Sequence, residues 1–257
     1  MGKHSSSSCC KLKNKALFRA LFLFLSLLND SFAIIQNMTQ PEKIRLLKLL
    51  YQYRAMGFEY FKEYQPLEDK TSTILPNEFY SLEESVKGCH LCNLSKTRKN
   101  TVFGEGNQNA ELMFIGEGPG NSEDGAGKPF VGRAGDLLTT IIENVLGLKR
   151  KDVYIANIVK CRPPGNRVPT PEEVSACKPY LLQQIKMVNP RIIVTLGPTS
   201  YHHLMDDYDT PISNIRGEVL QFQNATLIPT YHPSFLLRNP SSKKEVYQDM
   251  LKVKSIL

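Results

Sequence analysis

The 257-residue sequence has no uninterrupted apolar run of the length that a membrane span requires. The best candidate, Ala16 to Leu28, is broken by Arg19 and Ser26, whereas a span needs about 20 apolar residues. We therefore expect no membrane association for the folded part of the chain. The hydrophobic share of 41% is enough for a substantial core, and it predicts one ordinary domain with additional helices.

A strong charge of either sign is also missing from most of the chain. The formal net charge is +7, but residues 1–37 contain five basic side chains and one acidic one, so they hold +4 and leave +3 for the rest. So small an excess does not by itself predict nucleic-acid binding. The positions of the basic residues matter more than their total.

Residues 1–37 resemble a secretory signal, because three lysines precede the apolar run, which ends near Ser31-Phe32-Ala33. Export would carry cysteine ligands into an oxidising compartment, where thiols tend to pair as disulfides. Met38 opens a segment typical of the start of a soluble helix. We therefore predict that residues 1–37 are an upstream-start extension or leader outside the fold, and that the protein is cytoplasmic. A targeting or anchoring segment is the alternative.

Four of the six cysteines have the spacing of a metal site. Cys89 and Cys92 form a CxxC pair, and Cys161 and Cys177 follow at a distance. A CxxC pair can turn both thiolates towards one centre, and two remote cysteines can complete a tetrahedral set when the chain folds back. Such a set suits zinc or a [4Fe-4S] cluster, and the spacing does not distinguish them. Free buried thiols are the remaining alternative.

Beyond residue 37 the chain alternates short apolar runs with helical patterns. The predicted strands are Glu111–Ile115, Val153–Ile158, Ile192–Leu196 and Thr226–Pro229. The predicted helices are Glu42–Tyr64, Gly132–Leu146, Pro171–Asn189, Thr199–Met205 and Lys243–Lys254. This alternation predicts an α/β fold with a mainly parallel four-stranded sheet covered on both faces. We assign residues 38–80 to an N-terminal helix and connector, and residues 81–257 to the main domain.

Three motifs lie at the ends of predicted strands, where ligand sites of such sheets gather. The glycine-rich segment Gly116–Gly120 matches neither GxxxxGK[ST] nor GxGxxG, and the nearby Glu123 would repel phosphate, so it predicts a flat, largely uncharged ligand. Asn157 can both donate to and accept from the edge of a heterocycle, or it can simply form a turn. His232 lies between the last strand and a proline, a position that favours function over a structural role.

Together these segments resemble the iron–sulfur uracil-DNA glycosylases usually called family 4. The resemblance rests on GEGPG followed by PFVGRAG, on NIVKCRPPGNR, on the later Cys177 and on YHPSFLLR, in this order over about residues 82–257. It implies a three-layer α/β/α sandwich, a [4Fe-4S] cluster on the four cysteines, and deoxyuridine in single- or double-stranded DNA as substrate. The enzyme would hydrolyse the N-glycosidic bond and leave an abasic site, and we expect a monomer. The family usually has alanine at Gly118, whose backbone would contact the base.

The resemblance also assigns roles in base binding and catalysis. Phe130 would stack on the extruded base, Asn157 would recognise the uracil edge, and Glu123 would exclude the methyl group of thymine. His232 would donate a hydrogen bond to O2 of the departing uracil. Glu117 and Glu123 are the candidates for orienting a water molecule, and the sequence does not decide between them.

Two segments are candidates for contacts with DNA. Leu236 and Leu237 would wedge into the space that the extruded base leaves, or they would pack as the start of the last helix. Basic residues would contact phosphates, so that binding weakens with salt. These residues are Lys160, Arg162, Arg167 and Arg238.

Three other functions compete with uracil excision. They are non-catalytic DNA binding on the same fold, excision of a different lesion, and covalent trapping of uracil. The histidine-bearing basic insertion of the covalent relatives is absent between Asn157 and Cys177. A cluster on four cysteines would be structural or would position DNA, because the hydrolysis transfers no electrons and no ligand position stays open.

Overall fold

The computed structural model describes residues 39–40, 43–45, 48 and 75–257. The chain divides into two compact units, Met1–Thr73 and Ile74–Leu257. In the first unit, residues 40, 43–45 and 48 are helical. The rest of the predicted helix at 42–64 and the predicted leader lie outside the described residues. Among the described helices, none is long and apolar enough to cross a membrane.

The second unit is built on one six-stranded sheet with strand order β1-β3-β2-β4-β6-β5. Strands β3, β2, β4 and β6 pair in parallel, and the short β1 and β5 pair antiparallel at the two edges. The strands are β1 (Glu105–Gly106), β2 (Leu112–Gly116), β3 (Tyr154–Asn157), β4 (Ile192–Leu196), β5 (Leu220–Phe222) and β6 (Ala225–Thr230). The predicted four-stranded parallel sheet is therefore confirmed as the centre of the sheet, and the two edge strands were not predicted.

Eight α-helices accompany the sheet in residues 75–257. They are α1 (Phe79–Lys87), α2 (Asn121–Ala126), α3 (Arg133–Ile141), α4 (Pro171–Val188), α5 (Pro198–Met205), α6 (Ile212–Ile215), α7 (Pro233–Arg238) and α8 (Lys243–Ile256). A π-helical turn, Ile142–Leu146, continues α3. The predicted helices at 132–146, 171–189, 199–205 and 243–254 correspond to α3 with its π turn, α4, α5 and α8.

The core lies in two layers, one on each face of the sheet. Along β2, Met113 and Ile115 belong to a cluster with residues of α1, α4 and α5, whereas Leu112 and Phe114 belong to a cluster with residues of α3 and α8. This alternation follows from the two-residue period of a strand. Both faces are buried, which explains why the strands are continuous apolar runs. The predicted α/β/α sandwich is confirmed.

Helix α4 begins at a complete capping box. Thr170 is the N-cap, its Oγ1 accepts a hydrogen bond from the Glu173 backbone N–H, and its own N–H donates to the Glu173 carboxylate at 2.8 Å. Pro171 occupies the first helical position, where its missing N–H has no cost. The cap fixes where the helix starts, and therefore where it presents Cys177.

The four parallel strands end at one edge of the sheet. Gly116 of β2 is in register with Asn157 of β3, and Leu196 of β4 is in register with Thr230 of β6. The three predicted motifs lie at these strand ends or in the loops that follow them, so the topology brings the motifs together.

Candidate active site

A cleft of about 660 Å³ opens at this edge of the sheet, within the size range of small-ligand sites. It is lined by residues from all three motifs. They include Glu117, Gly118, Glu123, Phe130, Asn157, His232 and Arg238. Every residue that the sequence assigned to base binding or catalysis therefore contributes to one cleft.

Asn157 and Phe130 meet above the α-carbon of Gly116. A methyl group added at Gly116 would lie 2.4 Å from Asn157 Oδ1 and 2.6 Å from the Phe130 ring. Asn157 is 1% exposed, and its Oδ1 is buried with no hydrogen-bond partner among the described residues. A buried carboxamide oxygen without a partner is costly, so this atom is available to a ligand in the cleft. The ring and the amide edge together can hold a flat heterocycle.

Phe130 is held in an uncommon backbone conformation. Its φ is +51°, in the left-handed region that bulky residues rarely adopt. Gly135 of α3 approaches so closely that a Cβ there would lie 1.8 Å from the Phe130 carbonyl oxygen. The Arg150 guanidinium donates to the Pro129 carbonyl at 2.7 Å. These contacts fix the ring before a ligand arrives.

His232 lies beside Phe130, with a distance of 5.6 Å between the two ring centroids. Its Nδ1 accepts a hydrogen bond from the Ser234 backbone N–H at 3.1 Å and lies 2.7 Å from the Ser234 hydroxyl. Because a backbone N–H can only donate, the proton of the neutral imidazole must be on Nε2. Burial and, to a smaller extent, the positive charge of Arg238 lower the pKa of His232 to about 4, while Glu123 opposes the shift. The side chain is therefore a neutral Nε2–H donor at physiological pH.

A buried ion pair supports the strand end that precedes His232. Asp249 of α8 is 2% exposed and accepts a hydrogen bond from the Thr230 hydroxyl at 2.6 Å. The Arg216 guanidinium pairs with the same carboxylate at 2.5 Å and lies over the Tyr231 ring, 5.6 Å from its centroid. Thr230 and Tyr231 are the two residues before the histidine, so the pair fixes its approach to the cleft.

The two glutamates of the cleft have different surroundings. The Glu123 carboxylate accepts hydrogen bonds from the backbone N–H groups of Gly120, Val131 and Gly132, each at 3.1 Å. It therefore joins the glycine-rich loop to the loop that carries Phe130. Glu117 Oε2 instead accepts a single hydrogen bond from the Thr199 hydroxyl, at 2.5 Å.

The four predicted cysteine ligands line one small cavity. All four are free, with Cys161 and Cys177 buried and Cys89 and Cys92 half-buried. The set lies on the face of the sheet that α1 and α4 cover. Among the described residues, no group of three or more His, Cys, Asp or Glu is arranged to hold a single metal ion. The chemistry of the donor set, four thiols without disulfides around a common space, nevertheless fits a thiolate-bound cluster.

Two basic residues contact this set of cysteines, Arg98 through its side chain and Lys160 through its backbone. The Arg98 guanidinium donates to Cys161 Sγ at 3.2 Å, and the backbone N–H of Lys160 donates to Cys177 Sγ at 3.3 Å. Burial raises the pKa of Cys177 to about 12, and the positive charge of Lys160 opposes this shift. Burial likewise lowers the pKa of Lys160 to about 8, against the influence of the two cysteines.

Of the predicted DNA contacts, Lys160 is wrong, because it is 1% exposed and cannot reach a phosphate. The Arg167 guanidinium forms a bidentate pair with Glu173 at 2.6 and 2.8 Å. Arg162 is bonded to the amide oxygens of Asn121 and Asn166, both at 2.7 Å. Arg238 is exposed at the rim of the cleft.

The two predicted wedge residues differ in burial. Leu236 is 1% exposed and packs in the core cluster with α3 and α8, which agrees with the alternative prediction that it simply packs. Leu237 is half-buried.

The sequence did not single out the residues that orient the predicted ones. Thr199 is 82 positions from Glu117 along the chain, so only the fold brings them together. Gly135 was visible only as part of a motif. Ser234 could have been found, because a serine two residues after a histidine at a helix start can bond back to the ring.

Comparisons with known proteins agree with this geometry. A family model described as the uracil DNA glycosylase superfamily matches residues 103–252. The chain is 48% identical over 179 residues to a type-4 uracil-DNA glycosylase of Thermotoga maritima, covering 68% of this chain and 93% of that protein. It is 47% identical over 183 residues to a type-4 uracil-DNA glycosylase of Saccharolobus solfataricus, covering 68% and 85%. A type-5 uracil-DNA glycosylase of Pyrobaculum aerophilum shares 31% identity over 146 residues, or 50% of this chain and 63% of that protein.

Proposed function

This chain belongs to the type-4 uracil-DNA glycosylases of the uracil DNA glycosylase superfamily, and we propose that the cleft is the site at which it hydrolyses the N-glycosidic bond of deoxyuridine in DNA. The products are free uracil and an abasic site. The observation that carries the proposal is the unpartnered, buried Asn157 Oδ1 beside the Phe130 ring, in one cleft with a neutral His232.

Recognition begins with extrusion of the nucleotide, because the base cannot be cleaved while stacked in a duplex. The extruded base would stack on Phe130 and present its pairing edge to Asn157. The carboxamide can accept from N3–H and donate to O4 of uracil, whereas cytosine presents the opposite pattern at these two atoms. A mispaired buried amide costs about 1–3 kcal/mol, which corresponds to one or two decades of discrimination.

Bond cleavage places negative charge on the departing uracil and positive charge on the sugar. His232 would donate its Nε2–H to O2 as this charge develops, while Ser234 holds the opposite side of the ring. A preorganised donor of this kind is worth roughly 10²–10³ in rate. A neutral histidine can act as this donor without taking up a proton first.

Of the two carboxylates, we assign the orientation of water to Glu117. Both Glu123 oxygens already accept backbone N–H groups, so Glu123 holds the pocket walls together and borders the base. Glu117 is fixed through one oxygen by Thr199. Its second oxygen could accept a hydrogen bond from a water molecule that attacks the sugar.

The remaining contacts with DNA would come from the rim of the cleft. Arg238 is exposed beside the pocket, and Arg162 joins the loop after Cys161 to Asn121 at the start of α2. Phosphate contacts of this type would make binding fall with rising salt. Leu237 remains the candidate for a wedge. We expect a monomer that acts on single- or double-stranded DNA.

The four cysteines would hold a [4Fe-4S] cluster, as the resemblance to the iron–sulfur family implies. Their grouping around one cavity and the donors from Arg98 and the Lys160 backbone support this assignment. The cluster would brace the loops around the cleft and take no part in bond cleavage. Reduced thiolates are kept in the cytoplasm, where we place the enzyme. Iron analysis and visible absorbance would distinguish the cluster from zinc.

The test is single-turnover excision on single- and double-stranded oligonucleotides that contain one uracil. We expect the parent to release uracil, His232→Ala to be slower by about 10²–10³, and Asn157→Ala to lose its preference for uracil over cytosine. Lys178→Met, which removes a surface pair with Asp206, is the control. A parent that binds DNA and leaves uracil in place would overturn the enzymatic function. If both site variants match the parent, the site assignment is wrong.

A further inference from the structure

Lys160 is almost completely buried, with 1% of its surface exposed. Lysine is rarely buried to this degree unless its ammonium group has partners. Here Nζ donates to the backbone carbonyl of Asn157 at 2.9 Å and to Gln184 Oε1 at 2.5 Å. Because lysine is a donor only, both partners must be acceptors, and both are.

The contact with Asn157 lies beyond the point where the edge strand β1 stops pairing with β3. The register of β1 covers Tyr154 and Ile155 and then stops, so no strand of the described sheet pairs with Asn157 on this side. The ammonium group of Lys160 supplies a donor to the Asn157 carbonyl at that point. A side chain therefore holds the backbone of the residue whose carboxamide faces the cleft.

Gln184 extends this contact to helix α4 and beyond. Its Oε1 accepts from Lys160, while its Nε2 donates to the Phe103 carbonyl at 3.0 Å and to the Tyr154 hydroxyl at 3.1 Å. Gln184 follows Cys177 by seven positions, which places both on one face of the helix. The helix that carries a cysteine of the cavity therefore also carries the partner of the lysine.

The backbone of Lys160 completes the connection. Its N–H donates to Cys177 Sγ at 3.3 Å, and its carbonyl accepts from Val102 at 2.8 Å. One residue thus touches a sulfur with its main chain and the Asn157 main chain with its side chain. The buried groups of this network satisfy one another, an arrangement that favours a single rigid geometry.

We propose that Lys160 is a positioning residue for base recognition, and that with Gln184 it fixes the Asn157 carboxamide relative to the four cysteines. This inference rests on the proposed function of the cleft. Without the ammonium group, the Asn157 carbonyl and Gln184 Oε1 lose a donor while staying buried. The end of β3 can then shift, and the carboxamide no longer meets the uracil edge at the correct angle.

The experiment uses Lys160→Met, which keeps the length of the side chain and removes the donor. Lys178→Met is the matched control, because Lys178 follows Cys177 as Lys160 precedes Cys161, but pairs with Asp206 near the surface. The first measurement is the ratio of affinities for oligonucleotides that contain 2′-fluoro-2′-deoxyuridine, which resists cleavage, or deoxycytidine. We expect Lys160→Met to reduce this ratio by about tenfold, and the control to retain it.

The second measurement is a double-mutant cycle. It compares the effect of Lys160→Met on the single-turnover rate of uracil release in three backgrounds, which are the parent, Asn157→Ala and His232→Ala. If Lys160 acts through Asn157, Lys160→Met slows the parent by about tenfold and has little further effect on Asn157→Ala. In His232→Ala it should retain its full effect, because that residue lies on another strand end. An equal loss in all three backgrounds would indicate a general structural role and overturn the proposal.

Iron content per chain separates positioning from assembly of the cysteine site. We expect Lys160→Met to keep the iron content of the parent, and a parallel loss of iron and discrimination would contradict the proposal. Should Lys160→Met fail to fold, Gln184→Met removes the other end of the contact, and unchanged discrimination in that variant would be decisive against it. A parent that releases no uracil would instead refute the function of the cleft.

Discussion

Asn157 ends strand β3 and His232 follows the parallel strand β6. Each strand end is held by a buried charged side chain, but the partners of these two side chains differ. The Lys160 ammonium group donates to two neutral acceptors, and the Lys160 backbone N–H donates to Cys177 Sγ. Asp249 is paired with Arg216 and binds Thr230, with no contact to the cysteines. In the proposed function, the recognition half of the site (Asn157 with Lys160) is thus connected to the cysteines, whereas the leaving-group half (His232 with Asp249) depends on the ion pair between Arg216 and α8. We therefore expect a variant in one half to leave the properties of the other half unchanged.

The largest expected effect comes from Asp249→Asn, which leaves the half-buried Arg216 without its carboxylate. Removal of one partner of a buried pair costs about 3–5 kcal/mol, and we expect a decrease of this order in the free energy of unfolding, measured by denaturant titration. The preference for uracil over cytosine in the folded protein should remain. Loss of that preference together with stability would show that the halves are not independent.

A control for this variant is Asp206→Asn. Asp206 pairs with Lys178 at 3.0 Å, but 70% of its side chain is exposed, and an exposed pair contributes about 0–1 kcal/mol. Asparagine also tolerates the left-handed conformation of this residue, whose φ is +53°. We expect an unfolding curve close to that of the parent.

Gly116→Ala should disturb the recognition half with less effect on the fold. The added methyl group would meet Asn157 Oδ1 and the Phe130 ring at less than 3 Å, and overpacking of this kind costs about 1–3 kcal/mol. We expect single-turnover uracil release to slow by about tenfold to a hundredfold. Gly125→Ala is the control, because a methyl group there meets nothing within 4 Å. Equal rates for the two variants would mean that Asn157 and Phe130 do not hold the base.

The pH dependence of stability should report on the His232 half. Burial lowers the pKa of His232 to about 4 from its ordinary 6.5, so between these values the unfolded chain binds a proton that the folded protein does not. The free energy of unfolding therefore falls as the pH is lowered through this window, and this group adds no pH dependence above it. We expect the melting temperature of the parent to fall more steeply than that of His232→Gln. Parallel curves would argue against a neutral His232 in the folded protein.

The smallest expected effect is that of Ser234→Ala, which removes the hydroxyl beside His232 Nδ1 and keeps the backbone donor. A hydrogen bond of this kind contributes about 0.5–1.5 kcal/mol, so the rate of uracil release should fall by a few fold to about tenfold. Ser234→Thr keeps the hydroxyl and should restore most of the rate. A variant that binds uracil-containing DNA more weakly, at an unchanged rate of cleavage, would contradict the assigned role.

The parts of the fold that the sequence predicted are those with strong local signals. The central strands are continuous apolar runs because both their faces are buried, and α4 has a proline and a capping box at its start. Strands β1 and β5 have only two and three residues, with no buried residue in either. Their pairing depends on neighbours distant in the chain, so no local pattern could reveal them.

The site follows the same division. Asn157 and His232 lie in recognisable segments at strand ends, Phe130 lies in a recognisable motif between α2 and α3, and the spacing of the four cysteines predicted their grouping. Thr199 and Asp249 were not found, because each acts on a residue distant along the chain. Lys160 lies close to Asn157 in the sequence, but its burial could not be predicted. Burial also reversed one prediction, since a lysine beside a cysteine was interpreted as a contact for DNA and lies instead in the interior.

The left-handed backbone of Phe130 has a consequence for how quickly the enzyme can test the bases that it meets. A residue in this conformation costs about 1–3 kcal/mol of backbone strain. This cost arises when the protein folds and not when a nucleotide binds. The aromatic surface is consequently already in place at every encounter. In the proposed function, stacking of a base on Phe130 would then require no rearrangement of this residue, which would shorten the time spent on each wrong nucleotide.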